Sequence, residues 1–253
     1  MIRDITIGQY YKADSVIHRL DPRVKLMGTL IFIISLFMGM NIWIYAVVTV
    51  ALAVVIKMSR IPLKFMVRGL KSIVILIIIS AVFNLTITYQ GLKMAIFMVV
   101  RLIYLIVGTS LMTLTTTPNN LTDGLEKGLG FLKVIKVPVH EIAMMMSIAL
   151  RFIPILIEET DKIMKAQMAR GADFENGSLI KRAKAMVPIL VPLFVSAFRR
   201  ANELAMAMEA RCYHGSEGRT KMKPLKYEKR DRIAYISMVL YLGVIIIVKI
   251  IAA

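Results

Sequence analysis

Apolar residues run without a charge from Leu26 to Ile56. That is too long for one helix through a ~30 Å hydrocarbon core, which about 20 residues cross. Two short spans fit better. They would join at Met38-Gly39-Met40-Asn41, where Gly and Asn permit a turn, with Trp43 and Tyr45 following at positions suited to interfacial aromatics. Further apolar runs cover Ser72 to Thr88, Met94 to Leu114 with Arg101 inside it, and Ile233 to Ile250. The pattern predicts an all-α polytopic membrane protein with about five transmembrane helices.

The stretch from Thr115 to Arg232 is patterned differently. It holds most of the acidic residues and the prolines Pro118, Pro138, Pro154, Pro188 and Pro192, and its helices are amphipathic. Val139 to Ile157 and Val187 to Phe198 are apolar enough to compete as spans, but Glu141, Arg151 and the prolines favour burial against protein or a shallow interface. The expected organisation is an N-terminal segment (1–25), a four-helix transmembrane region (26–114), a platform of amphipathic helices (115–232) and a C-terminal transmembrane helix (233–253).

The platform repeats itself at an offset of 41 residues. Ile153, Leu156, Ile157, Thr160, Ile163 and Met164 match Phe194, Ala197, Phe198, Ala201, Leu204 and Ala205, both on an i, i+3, i+4, i+7 stripe. Opposite it lie Glu158, Glu159, Asp161 and Lys162 in the first helix, and Arg199, Arg200, Asn202 and Glu203 in the second, so each is expected to carry a greasy and a charged face. The register runs on to Arg170 and Arg211, each preceded by Ala and followed by a small residue at a helix stop. An arginine fork at such an end suits carboxylates and backbone carbonyls, and small flanking residues let a partner's surface close around it.

Composition and charge narrow the class. The 253 residues are 58% hydrophobic with a mean hydropathy of +0.70. The formal charge of +17 sits beside apolar runs, where Lys and Arg fix the cytoplasmic side of a bilayer, so topology explains it and nucleic-acid binding is not indicated. Lys57, Arg60, Lys64, Arg68 and Lys71 put the N-terminus and the loop after the second span in the cytoplasm; counting crossings places the platform there too and the C-terminus outside. Residues 1–25 lack an apolar stretch, so the first span is expected to act as its own insertion signal. The single cysteine, Cys212, excludes an internal disulfide, and three scattered histidines suggest no metal site.

No Gly-Lys-Ser or Gly-Lys-Thr phosphate cradle occurs, and Asp123-Gly124 lacks the further aspartates of a membrane phosphotransferase. A non-catalytic subunit is therefore expected, with ATP hydrolysis in other chains. Arg101, about 10 Å from the outer end of its helix, is read as a structural arginine that snorkels.

Ala169-Arg170-Gly171 and Ala210-Arg211-Cys212 resemble the paired Ala-Arg-Gly signatures of the T component of energy-coupling factor (ECF) transporters, the CbiQ-like family. Arg151-Phe152-Ile153-Pro154 with Glu158-Glu159, Thr115-Thr116-Thr117-Pro118 and Leu20-Asp21-Pro22-Arg23-Val24-Lys25-Leu26 are similar too. The resemblance implies that the helices ending at Arg170 and Arg211 insert into two ABC-type ATPase subunits, which carry the ATP and Mg. It also implies that the platform holds a membrane-embedded, substrate-binding S component for vitamin or micronutrient uptake. Cys212 replaces the second glycine and puts that helix cap in question. Met144, Met145, Met146, Met164 and Met168 are candidates for an adaptable surface that docks one or several interchangeable S components. The first helix is more acidic outside and the second carries Arg199 and Arg200, which favours a heterodimeric ATPase pair over a homodimer. The competing reading is a stand-alone secondary transporter or lipid-modifying enzyme, whose arginines would serve phosphate groups.

Overall fold

The computed structural model describes residues 10–39, 41–62, 65–66, 74–75, 78–79, 89–172, 174, 179–215, 222 and 224–251. The span expected over Ser72 to Thr88 falls almost wholly outside them. The described residues form seven α-helices: α1 (Pro22–Phe37), α2 (Ile42–Ser59), α3 (Tyr89–Thr115), α4 (Pro118–Gly128), α5 (Val139–Ala169), α6 (Leu179–Ala210) and α7 (Lys229–Ile251). A 3₁₀ turn, Leu129–Ile135, follows α4. The protein is an all-α polytopic membrane protein: α2, α3, α5 and α7 are long and apolar enough to cross a bilayer. Helix α1, with 16 residues, falls short of that length. Helix α5 passes by length and composition, although it lies in the stretch that the sequence assigns to the platform.

Contacts divide the chain into two compact units, with boundaries at Phe131/Leu132 and Met222/Lys223. The unit built from 132–222 is essentially the pair α5 and α6, packed on each other. In the other, α1 is the hub and touches α2, α3, α4 and α7. Helix α4 therefore belongs with α1, not with α5 and α6. Gly124 explains the fit, since a Cβ there would stand 2.8 Å from Cβ of Pro22.

The local starts of α1 and α2 follow from their caps. Asp21 accepts the Arg23 N–H at 2.9 Å, and Pro22 supplies a first-turn residue that needs no donor. The turn expected at Met38 to Asn41 does end α1, and Asn41 caps α2 by accepting the Trp43 N–H. Two apolar clusters hold this unit. One gathers Ile17, Ile61, Met66, Leu111 and Leu114; the other gathers Leu36, Ile44, Tyr45, Val48 and Ile245.

Arg101 departs from its expected snorkelling. It is only 9% exposed, its Nε donates to the Tyr45 hydroxyl at 3.0 Å, and its guanidinium lies 5.1 Å from the Phe37 ring centre. Tyr45, expected at the interface, is buried as the acceptor of that bond, while Trp43 is exposed. A cation inside an apolar bundle needs an acceptor and a polarizable face, and these two aromatics supply both.

Candidate partner-coupling site

Helices α5 and α6 pack at repeat-equivalent positions. At the crossing, Arg200 donates to Glu159 at 3.2 Å, and these two residues are 41 positions apart, the offset of the repeat itself. Farther along, the Gln167 side-chain amide donates to the Pro188 carbonyl at 3.4 Å. Pro192 has no N–H to give that carbonyl, so the glutamine fills a gap that the proline leaves in the helix. The residues 41 positions away from this pair, Met208 and Ser147, line one cavity together. Such reciprocal pairing means that the helices run antiparallel about an approximate two-fold axis through the Glu159–Arg200 contact.

The seam differs from the stripe that the periodicity suggested. The inward positions of α6 are Ile189, Leu193, Ser196, Ala197, Arg200, Leu204 and Met208, whereas Phe194 is 61% exposed and Phe198 is 69% exposed. Glu159 and Arg200 sit in the seam, not on the outer charged face expected for them. The reason is that greasiness does not mark the inward face of a helix whose other faces lipid or a partner can cover, so packing is decided by close fit and pairing.

Both arginines are helix C-caps of the same kind. At the end of α5, Gly171 N–H donates to Met168 O at 2.9 Å and Ala172 N–H to Gln167 O at 3.0 Å. At the end of α6, Cys212 N–H donates to Glu209 O at 2.9 Å and Tyr213 N–H to Met208 O at 3.0 Å. These are two Schellman ends in register. The residue after each arginine is left-handed, Gly171 with φ +89° and Cys212 with φ +56°. Cys212 thus completes the cap despite its side chain, at a cost of about 1 kcal/mol relative to glycine. Replacing Cys212→Gly is expected to raise the apparent Tm of the purified protein, and Gly171→Val to lower it by the equivalent of about 1–2 kcal/mol. A lower Tm for Cys212→Gly would argue against the left-handed cap.

Arg170, Arg211 and the small residues beside them are exposed, apart from the unit's own packing. Each arginine lies eleven residues beyond the crossing (159 to 170 and 200 to 211), about 16 Å along its helix. Because the helices are antiparallel, the two ends point opposite ways. They are not equivalent in their surroundings. Arg211 borders a cavity of about 630 Å³ lined by Met144, Arg151, Phe152, Met208 and His214 among others.

The five methionines named above do not form one patch. Met145 and Met146 are exposed near the start of α5 and Met168 near its end, a separation of about 30 Å or more along the helix. Met144 and Met164 are half-buried, and Met144 lines the cavity beside Arg211.

The other unit contains a polar knot that single-residue reading missed. Asp231, 2% exposed, accepts the Asp21 N–H at 2.9 Å and the Glu228 N–H at 2.8 Å. Lys25 donates from Nζ to Thr115 O at 2.8 Å and His18 O at 3.2 Å. The Leu-Asp-Pro-Arg-Val-Lys run and the Thr-Thr-Thr-Pro run therefore touch through Lys25. Nearby, His18 Nε2–H donates to Tyr11 O and Nδ1 accepts from Ser15, a neutral tautomer. Burial pushes the His18 pKa below its ordinary value, in keeping with that neutral ring.

Comparison with known proteins bears on most of the chain. A family model described as cobalt transport protein, CbiQ, matches residues 13–222. A Clostridium kluyveri protein named energy-coupling factor transporter transmembrane protein EcfT is 55% identical over 250 residues, covering 92% of this chain and 93% of the relative. Its namesake from Ruminiclostridium cellulolyticum is 53% identical, covering 91% and 92%. The Bacillus subtilis protein of that name is 46% identical, covering 94% and 96%.

Proposed function

Since this chain belongs to the CbiQ family, as a transmembrane T component of an energy-coupling factor transporter, we propose that it transmits ATP-driven motion from two ABC-type ATPase subunits to a membrane-embedded S component for vitamin or micronutrient uptake. The observation that carries this reading is the matched pair of exposed arginine C-caps, set symmetrically about the Glu159–Arg200 crossing.

Each arginine enters a groove of one ATPase, where carboxylates or carbonyls take its five donors. ATP and Mg, bound to the ATPases, supply the phosphoryl chemistry and the closing force. When the two ATPases approach, the two ends are driven as a pair, and rigid helices crossing at a fixed point carry that displacement along their length. The outward apolar residues Phe194, Val195 and Phe198 of α6 and the exposed Met145 and Met146 of α5 offer surface to an S component. The unlike surroundings of Arg170 and Arg211 fit two non-identical ATPases better than one used twice. The N-terminus and the α5–α6 unit face the cytoplasm in this reading, and the C-terminus lies outside, as the basic loop after α2 demands.

The test is affinity purification of the tagged chain from native membranes. Two nucleotide-binding subunits and a small membrane protein should come with it, and Arg170→Ala with Arg211→Ala should release the nucleotide-binding subunits. Purification of the wild-type chain alone, with transport by that chain alone, would overturn the proposal.

A further inference from the structure

A second basic feature belongs to the unit built around α1. A cavity of about 440 Å³ is lined by Arg19, Lys57, Arg60 and Arg230, with Asp14 as its one acid. The elements that build it are informative. Lys57 stands in the last turn of α2, Arg60 directly follows that helix, and Arg230 lies in the first turn of α7. Both helices are long and apolar enough to cross the bilayer. The ends of such spans sit at headgroup depth, so the cavity opens where phosphates are concentrated.

The charges in the cavity are unequally occupied. Arg19 makes a two-pronged pair with Asp14 at 2.8 and 2.6 Å, and Arg230 pairs with Glu228 at 2.8 Å. Among the described residues, no hydrogen bond or ion pair engages the Lys57 ammonium or the Arg60 guanidinium; Arg60 acts on Asp14 only at longer range. Four cations against Asp14 and Glu228 leave the cavity with a surplus of positive charge. Arg60 is also held with φ +56°, a conformation that glycine would take more easily. Val16 and Met58 give the rim exposed apolar surface beside these charges.

We propose that this cavity binds the phosphate of an anionic phospholipid headgroup, with Lys57 and Arg60 as its principal ligands. A phosphodiester would bring the missing counter-charge and accept charge-assisted hydrogen bonds from both side chains, while the glycerol and first methylenes meet Val16 and Met58. Zwitterionic headgroups would bring a cation of their own into a cavity already positive. The ends of α2 and α7 would then be pinned to the same lipid. The site is independent of the coupling arginines, so its failure would leave the proposed function intact.

The experiment uses the purified full chain in neutral detergent, with lipid binding read by native mass spectrometry and by thermal shift. Phosphatidylglycerol in mixed micelles is expected to bind and raise the apparent Tm, phosphatidylcholine to do neither, and the effect to weaken with salt. Lys57→Gln with Arg60→Gly should weaken phosphatidylglycerol binding at least ten-fold, while the lipid-free Tm stays at or above wild type because glycine relieves the left-handed backbone. Lys162→Gln with Lys165→Gln, a loss of equal charge on α5, should leave binding unchanged. Equal binding by the cavity variant, or equal loss in the α5 variant, would overturn the proposal. Glycerol 3-phosphate or inorganic phosphate producing the full effect at matched concentration would assign the site to a free anion and overturn the lipid.

Discussion

Reversing both C-cap arginines, Arg170→Glu with Arg211→Glu, is expected to reduce ATP-driven uptake in proteoliposomes at least 100-fold and to release the ATPases on purification. A carboxylate placed in a groove built for a guanidinium meets like charge or backbone carbonyls, and a charge left unpaired in an interface costs about 3–5 kcal/mol. Each decade in affinity corresponds to about 1.4 kcal/mol, so one reversal is already worth roughly 100-fold. The chain itself should tolerate the change. Both arginines are exposed at helix ends, where replacing a cation by an anion against the macrodipole costs about 0.3–1 kcal/mol each. Truncation to alanine should be milder than reversal, and the two single variants should differ, since Arg211 borders the cavity of Met144 and Phe152. Wild-type uptake and an intact complex in the double reversal would sink the coupling role.

Asp231→Ala is expected to lower the stability of the unit built around α1 by about 3 kcal/mol, seen as a fall of roughly 10 °C in apparent Tm. The carboxylate is buried and accepts two backbone N–H groups, from Asp21 and Glu228. Removing it strands the buried Asp21 N–H away from water and leaves the part-buried Glu228 N–H without its acceptor, and hydrogen bonds to a charged acceptor are worth about 1.5–3 kcal/mol each. It also withdraws negative charge from the surroundings of the buried Lys25 ammonium. Asp231→Asn keeps one acceptor oxygen but turns an NH₂ toward the other donor, so it should fall between wild type and alanine. A Tm unchanged in Asp231→Ala would show that the knot between the starts of α1 and α7 is not what holds them.

Length and apolar patterning were enough to reveal a multi-spanning helical protein, because a bilayer demands helices of a minimum length with few charges. The turn at Gly39 and Asn41, and the 41-residue register ending at Arg170 and Arg211, were legible for a similar reason: caps and repeats are written in consecutive residues. The register even located the crossing, since Glu159 and Arg200 are equivalent within it. What the stripe could not reveal was which way each helix turns. Phe194 and Phe198 are as apolar as any core residue, yet they face out, because oil and protein both accept them; the seam instead takes Glu159, Arg200 and Gln167, whose partners come from the other helix. Cys212 in a left-handed cap runs against the backbone preference of cysteine, and it was the register with Gly171 that marked a helix end there. Asp231 and Asp21 stand 210 residues apart and bond only because α1 and α7 begin side by side. The polytopic helical character, the repeat and the two arginine helix ends were readable in the sequence, since each depends on residues near in the chain. Tertiary structure alone decided the inward faces and the buried polar partners, since these depend on which distant groups happen to meet away from water.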